Sequence, residues 1–361
     1  MQSKEKEAPS FGIKKDRIFH SILHVVIKLL ASMAIAAAVL ATVCILMGYR
    51  VGDILETFFL SPFASGYEIS EIAREMVPLI FTGAAVALMV RCGQFNMFVE
   101  GGFFVGAFTA GVVAPLLPVS IPCVPLICIA AGAVVAGFLG YIPAKMKVCF
   151  GVNEFVSSLM LNYIVFWVCM YLLHGVCGDP DYVNATRYLE DSMRLPFLNE
   201  DLGLSSNIIL ALLTAALTGL FLFRAKWGYR IRMTGDNQKF AEFSGINAKR
   251  AIVSSQVIGA MLAGIGGAVF LLGNYYRFSW TSLPNYGFDG FVIAIIAGNN
   301  PFYVPLAAAF LGYLRVGALQ TSRSGALPNE VIYVIQALVI ILFGARLIKS
   351  RIKRNKSTGG R

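Results

Sequence analysis

Residues 224–250 read RAKWGYRIRMTGDNQKFAEFSGINAKR, a basic segment set between apolar runs at 207–223 and 251–272. Its cations, Arg224, Lys226, Arg230, Arg232, Lys239, Lys249 and Arg250, are opposed only by Asp236 and Glu242. Such an excess beside apolar runs is expected on the cytoplasmic side of a membrane. Within it, Asp236 reads as the N-cap and Gly245 as the C′ residue of a helix of about eight residues, roughly 12 Å long at 1.5 Å per residue. So short a helix is marginal alone. Phe240 and Phe243, three apart, share a face that needs an apolar surface to bury against. Asp236, Phe240, Ala241, Phe243 and Gly245 are therefore the candidate docking residues. The alternative is a solvated turn that only sets topology.

The rest of the chain decides between these readings. Of 361 residues, 57% are hydrophobic and 14% charged, against roughly 25% charged in soluble domains. The composition predicts an all-α polytopic membrane protein. The formal charge of +10 collects at span ends and tails, as orientation requires, so no nucleic-acid partner is implied. The tail holding Lys349, Arg351, Lys353, Arg354, Lys356 and Arg361 reads as a cytoplasmic anchor, with contact to membrane lipid as a further reading. Cys44, Cys92, Cys123, Cys128, Cys149, Cys169 and Cys177 include no CxxC pair, which supports neither a disulfide framework nor a zinc site.

About ten spans are expected, at 22–48, 72–92, 97–115, 122–144, 153–175, 207–223, 251–272, 287–299, 301–320 and 330–348, most near the ~20 residues a bilayer needs. An even number puts both termini on one side. The division is a basic N-terminal tail at 1–21, a transmembrane domain at 22–348 and a basic C-terminal tail at 349–361. The outer loop at 176–206 carries acids, among them Asp179, Asp181, Glu190 and Asp191, which supports the same orientation.

Two places interrupt the apolar runs. Gly287 to Gly298 is too short to cross comfortably, and Asn299-Asn300-Pro301 would strand backbone groups in lipid, so a broken helix or hairpin shielded by protein is expected there. Arg91-Cys92-Gly93-Gln94-Phe95-Asn96 similarly separates two spans. Breaks of this kind often line solute paths; each could equally be a plain turn. Glu100, Glu154 and Asp289 sit at or just inside apolar runs, where a charge is costly unless paired, hydrated or interfacial. Asn96, Glu100, Asn153, Asn162 and Asp289 are the candidate path residues. For Glu100, flanked by Gly101 and Gly102 and followed by Gly106, helix packing competes with solute contact. Arg315 fits snorkelling or an interhelical partner.

The chain has no G-x-x-x-x-G-K-[ST] phosphate loop and no HExxH, and His20, His24 and His174 form no metal cluster. If the chain takes part in an ATP-driven process, the ATPase is another polypeptide.

Five stretches together resemble the membrane-spanning permease subunits of bacterial ABC importers, in the nucleoside and simple-sugar branch. They are Pro78–Gly83, Gly93–Gly101, Gly151–Tyr163, Gly245–Arg250 and Gly287–Pro301. The Phe-Asn-x-x-x-Glu-Gly pattern at 95–101 is similar to that of nucleoside-type permeases, and the Gly-Gly-Ile-Asp-Leu-Ser-Val-Gly-like run of ribose-type permeases is missing. Phe98 and Gly102 depart from the family, which usually has a small residue and a Gln there. The resemblance implies that residues 236–245 form a coupling helix for an ATP-binding-cassette ATPase. It also implies a second permease chain, often a homologue, and an external solute-binding protein. ATP and Mg would be bound by the ATPase, and this chain would hold no cofactor or metal and catalyse no solute chemistry. The location implied is the bacterial cytoplasmic membrane. A competing class is a secondary transporter in which Glu100 or Asp289 carries a proton or sodium ion; an intramembrane enzyme lacks any nucleophile–base or metal constellation.

Overall fold

The computed structural model describes residues 51–118 and 123–323, with Ala38, Ala41, Thr42 and Ile45, all helical, before them. The expected spans at 22–48 and 330–348 and both tails otherwise lie outside the described residues. Two units divide the chain, Met1–Leu55 with Ala326–Arg361, and Glu56–Gly325. The second unit is entered through α1 (Val51–Leu60).

Seven helical runs among the described residues are long and apolar enough to span a membrane. The first, α2 (Gly66–Arg91), starts where Ser65 accepts the Glu68 N–H at 3.3 Å, a side-chain cap on an otherwise orphaned donor. Pro78 lies within α2, and the Thr82 hydroxyl donates to the Pro78 carbonyl at 2.9 Å. The chain breaks at Cys92–Met97 and resumes as α3 (Phe98–Val113), buried along nearly its whole length. Then come α4 (Val124–Phe150), α5 (Glu154–Gly175) and α6 (Asn207–Arg224). Two short helices, α7 (Lys226–Asp236) and α8 (Gln238–Phe243), fill the basic loop. The unit closes with α9 (Ala248–Asn274), α10 (Tyr286–Ile296) and α11 (Val304–Arg323).

α2, α3 and α9 form the centre, and glycine permits their approach. A Cβ on Gly102 would meet the Ala260 carbonyl oxygen at 3.3 Å, and one on Gly264 would meet the Gly132 carbonyl oxygen at 2.6 Å. Gly106 lies directly against the Gly264 backbone. Close contact of this kind replaces the hydrophobic driving force that lipid removes. Gly264→Val is expected to cost at least the ~1–3 kcal/mol of an overpacked core, because backbone cannot yield as a side chain does. Thermal stability followed by size-exclusion chromatography of the detergent-solubilised chain should fall accordingly. By contrast, α4, α5 and α6 expose large apolar side chains such as Phe138, Trp167 and Leu217.

The broken crossing is present, but its non-helical part lies before the short helix rather than after it. α10 has 11 residues, about 16 Å at 1.5 Å per residue. The remainder is the non-helical stretch 275–285, which precedes α10. It descends beside α3, with Phe278 against Phe108 and Phe104, Trp280 against Phe104 and Phe103, and Asn285 bonded to Glu100. Asn299-Asn300-Pro301 is the turn after α10, with Gly298 and Asn299 at positive φ. Lys-free, aromatic and Pro-punctuated, the 275–285 stretch has no helical period to betray it.

Irregular backbone at this depth must be satisfied by protein. The 176–206 loop does much of this. Thr186 N–H donates to the Phe278 carbonyl at 2.9 Å, Phe278 N–H donates to the Thr186 hydroxyl at 3.0 Å, and Leu189 N–H donates to the Tyr276 carbonyl at 2.8 Å. Later in the loop a small hairpin pairs β1 (Phe197–Asn199) with β2 (Leu204–Ser205). Arg194 lies over the Tyr276 ring at 3.7 Å, and Tyr276 stacks on Tyr188.

Candidate functional site

The N-terminus of α3 begins inside the bundle, so its free N–H groups need acceptors. One stripe of α5 provides them. Glu154 accepts from Phe95 N–H at 3.5 Å, Ser158 from Met97 N–H at 2.9 Å, and Asn162 from Gly101 N–H at 3.0 Å. Asn162 also donates to the Met97 carbonyl at 2.9 Å. The spacing i, i+4, i+8 puts these side chains on one face of the helix. Glu154 is in turn ion-paired with Lys147 of α4. Asn153 stands outside this stripe: it is exposed, and its side chain caps α5 at Phe155 N–H, 2.9 Å away.

Asn96 is buried in a second network. Its amide donates to Gln256 of α9 at 2.6 Å, Gln256 donates to Gln94 at 3.3 Å, and Asn96 accepts from Phe98 N–H at 2.8 Å. The Gln94-Phe95-Asn96 break is therefore a cross-braced junction of α2, α3 and α9.

Glu100 joins this junction to the half-helix. Only 1% exposed, it accepts from Asn285 N–H at 2.6 Å through Oε1 and from Gly287 N–H at 2.5 Å through Oε2. Both donors belong to the start of α10, where the helix dipole also favours a carboxylate. A Cβ on Gly287 would meet the Glu100 amide nitrogen at 2.5 Å, so only glycine lets the half-helix sit here. Gly102 and Gly106 serve helix packing as the sequence suggests, whereas the Glu100 carboxylate is a helix cap.

Asp289, about one turn further along, lies in the first turn of α10. Its neighbour Gly290 packs on Thr82, in the interior of α2. Asp289 pairs with Arg315 of α11, and Arg315 also meets Glu75 of α2 at 3.1 Å and lies over the Tyr286 ring at 4.9 Å. Snorkelling does not describe Arg315, because two acids from two helices hold it. Removing one partner of such a cluster leaves an uncompensated enclosed charge, at a cost of about 3–5 kcal/mol. Arg315→Gln should therefore lower folded yield and thermal stability far more than Arg315→Lys, which keeps the charge.

At the other end of α10, Arg91 donates to the Asn299 carbonyl at 2.7 Å and to the Gly298 carbonyl at 3.3 Å. The end of α2 is thereby tied to the turn after α10. The basic loop reaches the same point: a Cβ on Gly235 of α7 would meet the Arg91 carbonyl carbon at 2.8 Å.

The short helix in this loop departs from expectation at its start. Asn237, with extended φ −158°, accepts from Phe240 N–H at 3.0 Å and is the N-cap; Asp236 ends the preceding helix α7. α8 is therefore 6 residues long. Its C-terminus has the expected form: Gly245 at φ 79° donates to the Glu242 carbonyl at 3.0 Å, and Ile246 donates to the Ala241 carbonyl at 2.9 Å. This is a Schellman closure. Ala241 is buried, whereas Phe240 is 55% and Phe243 92% exposed. Large aromatic side chains held outward on a doubly capped helix form an uncovered apolar patch.

Among the described residues, no group of three or more His, Cys, Asp or Glu is placed to hold a metal ion.

Residues 68–344 match the family described as "Branched-chain amino acid transport system / permease component". The chain belongs to this permease family. A guanosine ABC transporter permease of Bacillus subtilis is 30% identical over 92% of this chain and 97% of its own length. A nucleoside ABC transporter permease of Lactococcus lactis is 27% identical over 85% of this chain and 87% of its own. A glucose ABC transporter permease of Haloferax volcanii is 28% identical over 88% of this chain and 85% of its own. No solved structure matches. The permease is a multi-pass, all-α transport subunit of the ABC class, in the branch that includes nucleoside and sugar permeases.

Of the residues singled out from sequence, Asn96, Glu100 and Asn162 come together around the start of α3. Asp289 joins them through α10, while Asn153 stays on the surface. Ser158, Gln256, Glu75 and Arg91 complete these networks. The polar stripe Glu154, Ser158 and Asn162 on an otherwise apolar helix is a signal that periodicity could have caught.

Proposed function

We propose that this permease moves a nucleoside, purine or of broad range, across the bacterial cytoplasmic membrane by alternating access driven by a separate ATP-binding-cassette ATPase. The observation that carries this reading is α8, whose exposed Phe240 and Phe243 stand on a rigid, capped turn joined through Gly235 and Arg91 to α10. In this reading the ATPase covers the aromatic pair, ATP and Mg reside in that partner, and movement of α8 is passed through Arg91 to the half-helix. The basic loop and both termini then lie in the cytoplasm, and the 176–206 loop faces the external solute-binding protein. The second permease chain is a homologue, which leaves the translocation path shared between two chains. Asn96, Glu100, Asn153, Asn162 and Asp289 remain the positions at which to probe the path.

The nucleoside assignment is supported by the Bacillus and Lactococcus relatives, and the Haloferax relative supports a simple sugar as the alternative. Uptake of labelled guanosine by cells expressing the assembled transporter tests the choice. Nucleosides should compete and glucose should not, and uptake should stop on ATP depletion. Competition by sugars alone moves the assignment to the sugar permeases. Uptake that survives ATP depletion and collapses with an uncoupler makes the chain a secondary transporter.

A further inference from the structure

A cavity of about 380 Å³ opens at the junction of α6 and α7, lined by Phe223, Arg224, Lys226, Arg230, Arg232 and Ile246 among others. Four of its eight lining residues are cationic, and among the described residues none of the four has an acidic partner within ion-pair distance. Arg232 lies over the Phe223 ring at 5.3 Å, and its Nε is enclosed without a hydrogen-bond partner. The first turn of α7 has no acid, and Ala225 gives it no side-chain cap. Cations crowded at a helix N-terminus oppose the helix dipole. One bound anion relieves all of these features together.

The surroundings identify the anion. α6 presents Leu213, Leu217 and Leu220 outward along the helix that ends at the cavity; Tyr229, itself exposed, also lines the cavity, and the exposed Trp227 lies one residue from Lys226. An apolar face leading to aromatic and basic residues is the profile of a membrane–water interface. We propose that this cavity binds the phosphate headgroup of an anionic phospholipid, its acyl chains lying along α6. Phosphate is the shared chemistry, and continuity with the apolar face of α6 selects the lipid over free phosphate. Ile246, the residue that closes α8, also lines the cavity, so the bound headgroup buttresses the docking helix. The site does not depend on which solute is carried.

The test uses the full chain, with whatever co-purifies, in mild detergent. Native mass spectrometry with added phosphatidylglycerol or phosphatidylcholine should show phosphatidylglycerol retained about tenfold better. That preference should vanish in the Arg224→Gln, Lys226→Gln, Arg230→Gln, Arg232→Gln variant and persist when Lys349, Arg351, Lys353 and Arg354 are each changed to Gln. An unchanged preference in the cavity variant overturns the site. Displacement of phosphatidylglycerol by inorganic phosphate at equal concentration overturns the lipid assignment. So does loss of ATPase co-purification from the cavity variant with no lipid preference in the parent, which would make the cavity a protein contact. Should the variant fail to fold, brominated phosphatidylglycerol should still quench Trp227 in the unaltered cavity, read as the difference from Trp227→Phe. Equal quenching by brominated phosphatidylcholine contradicts the proposal.

Discussion

Replacing Phe240 and Phe243 by Asp is expected to abolish uptake while leaving the amount of membrane-inserted chain unchanged. Both rings project from α8 and make little contact within the chain, as their exposure shows, so their loss removes little folding energy. In the proposed coupling role their value lies in a partner surface. A buried aromatic anchor at a protein interface contributes about 2 kcal/mol or more, roughly 30-fold in affinity for each ring. Two carboxylates at the proposed contact add a desolvation cost with no compensating pair. Ala241 gives the contrast: it is buried beneath the helix, so Ala241→Asp should lower the amount of folded chain itself. Quantitative immunoblotting of membranes beside labelled-solute uptake separates the two outcomes. Uptake at the parental rate by the double Phe variant excludes α8 as the coupling contact.

Glu100→Ala should be the most damaging single change within the bundle. It leaves the N–H groups of Asn285 and Gly287 without their acceptor, and each unsatisfied buried donor costs about 1–3 kcal/mol. It also removes the negative charge from the N-terminus of α10, where a partly buried carboxylate contributes up to ~2 kcal/mol. Glu100→Gln keeps one carbonyl acceptor and should lie between the parent and Glu100→Ala in thermal stability. Because α10 is held at one end by Glu100 and at the other by Arg91, loosening either end should reduce transport before the chain fails to insert. Parallel melting curves and uptake rates for Glu100→Gln check this. An unaffected melting temperature in Glu100→Ala would show that the half-helix does not rely on the carboxylate.

The span pattern was legible because every long helix is apolar over about twenty residues, and the seven described spans fall near the expected ranges. The α8 C-terminus was equally legible, since a glycine after a short helix has one common use. Its N-terminus was not: Asp236 and Asn237 are adjacent, both can cap, and only the backbone angle at 237 chooses between them. Glu100 and Arg315 show a different difficulty. Asn285 lies 185 residues from Glu100, and Arg315 has one acid 26 residues away and another 240 away; a charge in an apolar run does not name its partner. The extended passage 275–285 is silent in the sequence for a related reason. Beyond Tyr275 N–H, which donates to Leu271 of α9, Thr186, Leu189 and Glu100 from distant parts of the chain bond its backbone, so little that is local signals that it belongs inside the bundle.

The most direct test of the coupling role is cross-linking from α8 itself. A photoreactive amino acid placed at position 243, in cells expressing the assembled transporter, should capture a P-loop ATPase as the principal product, identified by mass spectrometry of the cross-linked peptide. The yield should change when ATP hydrolysis is blocked. Cross-links confined to lipid or to a second copy of this chain, in cells that still take up solute, would contradict the assignment of α8 as the ATPase contact.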